Sequence, residues 1–201
     1  TALGMVTLLL FVDFNTISPG ANDNLTGTYA AVCALRMLDM AGIDFENTEV
    51  CAMITDGEEA GLRGCKQWAK DHYDEYVNSG VETAVLCVDT LADLEYLRVY
   101  NKDMTGTVKN SQQFSQLVMD SAKDSGHNDL EFSSVYFGSS DAAAFSQAGI
   151  TATCLAAMDP KPADYYHNRR DTAERLVPEA IKTGFDVIIS TILNFDEKGL
   201  N

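Results

Sequence analysis

Val50-Cys51-Ala52-Met53-Ile54-Thr55-Asp56-Gly57-Glu58-Glu59-Ala60-Gly61-Leu62-Arg63-Gly64 is the stretch whose reading decides the fold. An apolar run leads into a polar, glycine-bearing corner, and an amphipathic run through Trp68 follows. This order predicts a strand at 49–54, a tight turn, and a helix from about Ala60 to Tyr76, with Gly57 supplying backbone freedom at the corner. Open α/β sheets gather their ligand sites at the carboxyl ends of strands, which is where Glu58 and Glu59 stand. Neighbouring side chains diverge there, so one carboxylate can hold a metal while the other faces a substrate water. The plainer reading is a solvated helix start, because acids favour the N-terminal end of any helix.

Outward from the corner, apolar runs and helical patterns alternate. Met5 to Val12 reads as a strand buried on both faces, and Asp13 to Asn24 as a loop. Leu25 to Met40 reads as a helix, with Tyr29, Val32, Cys33, Met37 and Met40 at helical spacing and Gly42 as its terminator. Further along come a strand at Thr83–Val88 stopped by Asp89, and a helix at Ser111–Ala122 with Phe114, Leu117 and Val118 on one side. A short strand follows at Ser133–Phe137, then a helix at Ala142–Gln147 and a strand at Ile150–Leu155. A loop with Pro160 and Pro162 runs on to Asp171. Pro178 opens a last helix to about Phe195, as proline favours the first helical turn. The pattern predicts an α/β three-layer sandwich with a central, mostly parallel mixed sheet flanked by helices. The 201 residues are expected to form one domain, and its opening strand begins abruptly, as though earlier strands were missing.

A formal net charge of −16 argues against nucleic acid or an anionic membrane as main partner. It suits cation binding, although diffuse acidity also serves plain solubility. Five cysteines are scattered without a CxxC pair, which points to buried free thiols rather than a disulfide framework. No segment reaches the roughly 18 apolar residues that span a bilayer.

Asp13, Asp89 and the glutamate pair each fall at or just past the end of a predicted strand, and parallel strands bring such ends to one edge. Asp23, Asp141 and His167 lie in neighbouring loops. Carboxylates gathered at one edge repel one another, and a divalent cation relieves that cost; carboxylate oxygens with a histidine nitrogen suit zinc. Each residue also has a structural reading. Asp23 could cap the following helix, Asp89 could be a strand-end turn residue, and Asp141 and Asp171 could be caps or loop anchors. Tyr166 could be a packed aromatic. His72 lies on the helix after the glutamates, roughly 20 Å along its axis, and is expected at the surface. His127 looks like a turn residue.

Three motifs add a resemblance. Pro19-Gly20-Ala21-Asn22-Asp23-Asn24-Leu25-Thr26-Gly27, then Glu58-Glu59-Ala60-Gly61-Leu62-Arg63-Gly64, then Tyr166-His167-Asn168-Arg169-Arg170-Asp171-Thr172 resemble the zinc aminopeptidases of metallopeptidase family twenty-eight. That family also includes glutaminyl cyclases and non-catalytic receptor ectodomains, and its domain normally begins several strands earlier. The resemblance implies a zinc exopeptidase-like fold, zinc as cofactor, and a peptide with a free amino terminus as substrate. A secreted or cell-envelope location is compatible with it. By the same resemblance Asp23 would bridge two zinc ions, Glu59 and His167 would complete one site, and Asp89 would serve the other. Glu58 would be the general base for the attacking water, and Tyr166 would steady the oxyanion. Ser140-Asp141 resembles a segment lining the substrate side.

One position departs from the pattern. Where the family carries His-x-Asp, this chain has Phe11-Val12-Asp13. Asp13 matches the aspartate that orients the histidine, but phenylalanine cannot coordinate a metal. Three outcomes follow: one zinc held by Asp23, Glu59 and His167; a second metal held weakly by carboxylates and water; or a fold that has lost the reaction. Glutaminyl cyclases resemble the first case in using one metal.

Overall fold

The computed structural model describes residues 15–161 and 163–200. The expected opening strand at Met5–Val12, with Phe11, and the candidate Asp13 lie outside the described residues.

Five strands form one mixed sheet: β1 (Val85–Asp89), β2 (Leu97–Asp103), β3 (Val108–Lys109), β4 (Phe132–Ser134) and β5 (Ala152–Ala157). The order is β1-β5-β2-β3, with β4 also paired to β2. β1 runs parallel to β5 with Cys87 opposite Cys154 and Asp89 opposite Ala156. β2 runs antiparallel to β5, with Val99 opposite Leu155, and parallel to β4. The helices are α1 (Gly27–Met40), α2 (Arg63–Asp71), α3 (Gln112–Asp124), α4 (Asp141–Gln147) and α5 (Pro178–Lys198).

β5 shows why the sheet needs two helical layers. All six of its residues are buried, so both faces must be covered. Leu155 and Ala157 join Leu97, Val99, Val118 and Val187 in a cluster that also takes in α1, α3 and α5. Ala152, Cys154 and Ala156 point the other way and join Tyr100, Phe145, Leu62 and Cys65, the cluster of α2 and α4. Successive strand side chains alternate between faces, so one apolar run feeds both cores. The layered α/β arrangement with a mixed sheet is the one the sequence pattern predicts.

Several local expectations are corrected. Residues 49–54 form no strand with any described segment, because an apolar run becomes a strand only when a neighbour pairs with its backbone. The helix expected from Ala60 begins at Arg63 and ends at Asp71. β2 went unread: Arg98, Asn101 and Lys102 interrupt its apolar residues, and its burial has neither a continuous nor an alternating pattern. Helix α1 is where the spacing put it, and Gly42 follows it at φ +64°. Its buried residues, however, are Gly27, Ala30, Ala34 and Leu38, while Tyr29, Val32, Cys33, Met37 and Met40 are exposed. Small residues let this helix lie close to the sheet: a Cβ at Gly27 would stand 2.3 Å from the Val88 carbonyl oxygen. The cysteines are free as expected, but Cys33 and Cys51 are exposed rather than buried. No helix among the described residues is long and apolar enough to cross a membrane.

Candidate metal centre

The glutamate corner is a longer turn than the sequence suggests. Gly57, Gly61 and Leu62 all have positive φ, at 65°, 96° and 60°. The Gly61 and Leu62 amides donate to the Glu58 carbonyl, and the Gly64 amide to that of Asp56. Gly64 is required by this closure, since a Cβ there would lie 2.3 Å from the Asp56 oxygen. Glu58 and Glu59 therefore precede α2 by several residues instead of decorating its first turn. This removes the helix-start reading of the pair.

Asp23 arrives from a loop knitted into three parts of the molecule. The Asn24 side chain donates to the Val88 carbonyl (2.9 Å) and accepts from the amides of Gly27 and Thr90. The Asn22 side-chain oxygen accepts from the Ala92 amide, and Thr26 Oγ1 accepts from that of Leu91. Asp171 accepts the Asn22 and Asp23 amides at 2.8 and 3.0 Å. Asp23 and Asp171 are thus not helix caps. The first is presented by the loop, and the second is a loop anchor, one of its two expected structural roles.

His167 sits at φ +56°, a conformation sparsely used by residues with a side chain and concentrated at functional sites. Its Nε2 lies 3.2 Å from Asp23 Oδ2 and 2.9 Å from Glu59 Oε1. One ligand atom from each of Asp23, Glu59 and His167 falls within 4.8 Å of the others. Atoms about 2.1 Å from one zinc in tetrahedral array are about 3.4 Å apart, so two carboxylate oxygens and one imidazole nitrogen fit such an ion. The other two histidines stay away: His72 pairs with Glu75 and stacks on Trp68, and His127 pairs with Asp186. His72 is partly covered rather than fully at the surface.

The electrostatics match a site suited to a cation. Hydrogen bonds to Asp23 and Glu59 push the His167 imidazole up to about 10, and the His167 contact lowers the Glu59 carboxyl. Burial, followed by the charges of Glu59, Asp141 and Asp23, pushes Glu58 up to about 7. Asp89 lies outside the three-ligand group, yet burial and the charges of Asp23, Glu58, Asp141 and Glu59 push it well above the usual carboxylate range. Its Oδ1 is buried without a hydrogen-bond partner among the described residues. The Tyr166 ring stacks on His167 with centroids 3.7 Å apart, and burial raises its hydroxyl.

Two side-chain pairings escaped the sequence reading. Asp141, at the start of α4, accepts from Thr55 Oγ1 at 3.0 Å, so the corner is tied to a second element. Tyr165 donates to Asp93 and accepts from Asn22 Nδ2 at 2.9 Å, joining the His167 loop to the Asp23 loop. Neither pairing has a signal in spacing, since the partners stand 86 and 143 residues apart.

Comparison with known proteins gives the family. Residues 8–192 match the sequence profile of Peptidase family M28. Aminopeptidase YwaD of Bacillus subtilis (strain 168) is 28% identical over 193 residues, covering 87% of this chain and 37% of the relative. An aminopeptidase from Aneurinibacillus sp. strain AM-1 superposes with a TM-score of 0.71 at 21% identity, over 87% of this chain and 39% of that one. BSAP, a zinc aminopeptidase from Bacillus subtilis, gives 0.68 at 24% identity, over 87% and 42%. At these identities the two structures speak for the fold alone. The chain spans well under half the length of these three relatives.

Proposed function

The chain belongs to peptidase family M28, and on that premise we propose that it carries the metal-holding part of a zinc-dependent peptidase that removes residues from the amino terminus of peptides. The observation that carries this reading is the meeting of Asp23, Glu59 and His167 within 4.8 Å, from loops far apart in sequence. One zinc bound there would polarise the scissile carbonyl and bring the pKa of a water towards about 7. Glu58, adjacent to Glu59 but not one of the three, acts as general base: it takes the proton of the attacking water and returns it to the leaving amine. A carboxyl pushed up to about 7 is matched to that task near neutral pH. Tyr166, stacked beside His167, offers its hydroxyl to the oxyanion. The carboxylates of Asp23, Glu58, Asp89 and Asp141 together favour a substrate's free ammonium over a blocked terminus.

The test is release of N-terminal residues from chromogenic amides, with and without chelator, beside elemental analysis of the protein. Chelator abolishes release, zinc restores it, and the analysis returns one zinc per chain. Glu58→Gln keeps its zinc and loses about 10²–10⁴-fold in turnover. Release indifferent to chelation ends the metal reading. Zinc uptake without hydrolysis moves the chain to a binding role on this scaffold. Ammonia release from a peptide with N-terminal glutamine moves it to the cyclase reaction.

A further inference from the structure

Asp171 stands apart from the proposed chemistry, yet it touches both halves of the site. Its side chain is 1% exposed, and both carboxylate oxygens are taken by the main chain: Oδ1 by the Asn22 amide, Oδ2 by the Asp23 amide. Its own carbonyl accepts from the Ala21 amide at 3.2 Å. It lies four residues beyond His167, in the same run of turns, and 148 residues from Asp23. Two further struts link the same loops: Ser18 Oγ donates to the Asn168 carbonyl at 3.0 Å, and Asn22 Nδ2 to the Tyr165 hydroxyl.

Resting on the reading of Asp23, Glu59 and His167 as a metal site, we propose that Asp171 is a positioning residue that sets how tightly the site holds a divalent cation. With both oxygens engaged, Asp171 is not itself a ligand. Its two bonds fix the Ala21–Asn22 and Asn22–Asp23 peptide planes, and so constrain the direction in which the Asp23 side chain leaves the backbone. The carboxylate belongs to the segment that carries His167 and so ties it to the Asp23 loop, where Asp23 Oδ2 and His167 Nε2 lie 3.2 Å apart. The ordering cost of assembling two remote loops is thus met by the fold rather than by the ion. Groups that orient metal ligands typically change affinity about 10–100-fold when removed. Asparagine at 171 keeps the shape and one acceptor but turns an NH2 toward one of the two amide donors.

The experiment measures zinc affinity by competition with a chromophoric chelator for the unmutated chain, Asp171→Asn and Tyr165→Phe, with thermal unfolding of each in excess chelator. Asp171→Asn weakens zinc about 10–100-fold while still unfolding cooperatively without metal, and Tyr165→Phe weakens it less. Unchanged zinc affinity in Asp171→Asn, whatever its stability, overturns the proposal and leaves Asp171 a fold anchor. Should that variant not fold, amide hydrogen exchange on the unmutated chain decides. Coupling is reciprocal, so saturating zinc slows exchange of the Asn22 and Asp23 amides, and unaltered exchange overturns the proposal. An unmutated chain that takes up no zinc overturns the metal reading itself, an outcome distinct from both.

Discussion

His167 carries most of the pH dependence expected at the scale of single residues. With Asp23 and Glu59 holding its pKa at about 10, the imidazole is expected to be protonated at neutral pH in excess chelator. The folded value lies above the ordinary value of 6.5, so the contribution to stability is complete below about 6.5 and is lost as pH rises through about 10. Glu59 has the opposite sign: its lowered pKa contributes above the ordinary value of 4.5 and is lost as pH falls below it. Glu58 works against both, since its raised value makes ionisation a penalty that is present above about 7 and gone below about 4.5. The expected outcome is a melting temperature of the chelated protein that falls between pH 7 and 10, with His167→Gln flattening the slope. A scanning calorimetry series in excess chelator checks it, and equal slopes for the two proteins would sink it. Zinc must displace the His167 proton, so its affinity rises over the same range. The three candidate ligands and Glu58 were legible because each sits in a short motif of distinctive residue types. Asn22, Asn24, Asp171 and Tyr165 were less so, because ordinary polar residues acquire their roles only from partners elsewhere in the chain.

At the scale of elements, the corner between residues 56 and 64 does more than its length suggests. Three positive-φ residues and the close approach of Gly64 to the Asp56 carbonyl turn the chain so that adjacent glutamates face the Asp23 and His167 loops. Gly64→Ala places a methyl group 2.3 Å from that carbonyl oxygen, and the corner must open. We expect a loss of about 1–3 kcal/mol in urea unfolding together with weakened zinc binding. A variant of unaltered stability and affinity would show that the corner has slack. Helix α3 gives a contrasting case remote from the site. Ser111 caps it by accepting from the Phe114 amide at 3.2 Å. Ser111→Ala is therefore expected to cost about 1 kcal/mol with zinc affinity unchanged. A loss of affinity there would mean that stability and metal binding cannot be separated in this fold. Helices α3, α4 and α5 were read from sequence nearly to their ends, because capping residues, a first-turn proline and regular apolar spacing act within one turn. The face of α1 was misread since alanine and glycine, not its larger apolar residues, meet the sheet.

At the scale of the whole molecule, Phe145 ties the site to the core. It is fully buried in α4 and meets Trp68 of α2 edge to face, with ring centroids 6.5 Å apart. The element that carries Asp141 and the one that follows the glutamate corner are thus packed together beneath the candidate centre. Phe145→Ala is expected to cost about 3–5 kcal/mol by denaturant unfolding, and a cost under about 1 kcal/mol would mean that this layer repacks freely. The amino-acid sequence by itself determined the class of fold and pointed to the candidate metal-binding groups. Both follow from information that is local: the period of apolar residues, the residues that end helices, and carboxylate and imidazole groups beside glycines. Tertiary structure alone decided that β2 runs antiparallel through the middle of the sheet. It also decided which side of α1 is buried, and that Asp171 and Tyr165 bridge loops at opposite ends of the chain. Those outcomes depend on which backbone meets which, a matter of packing between segments that no single window of sequence contains.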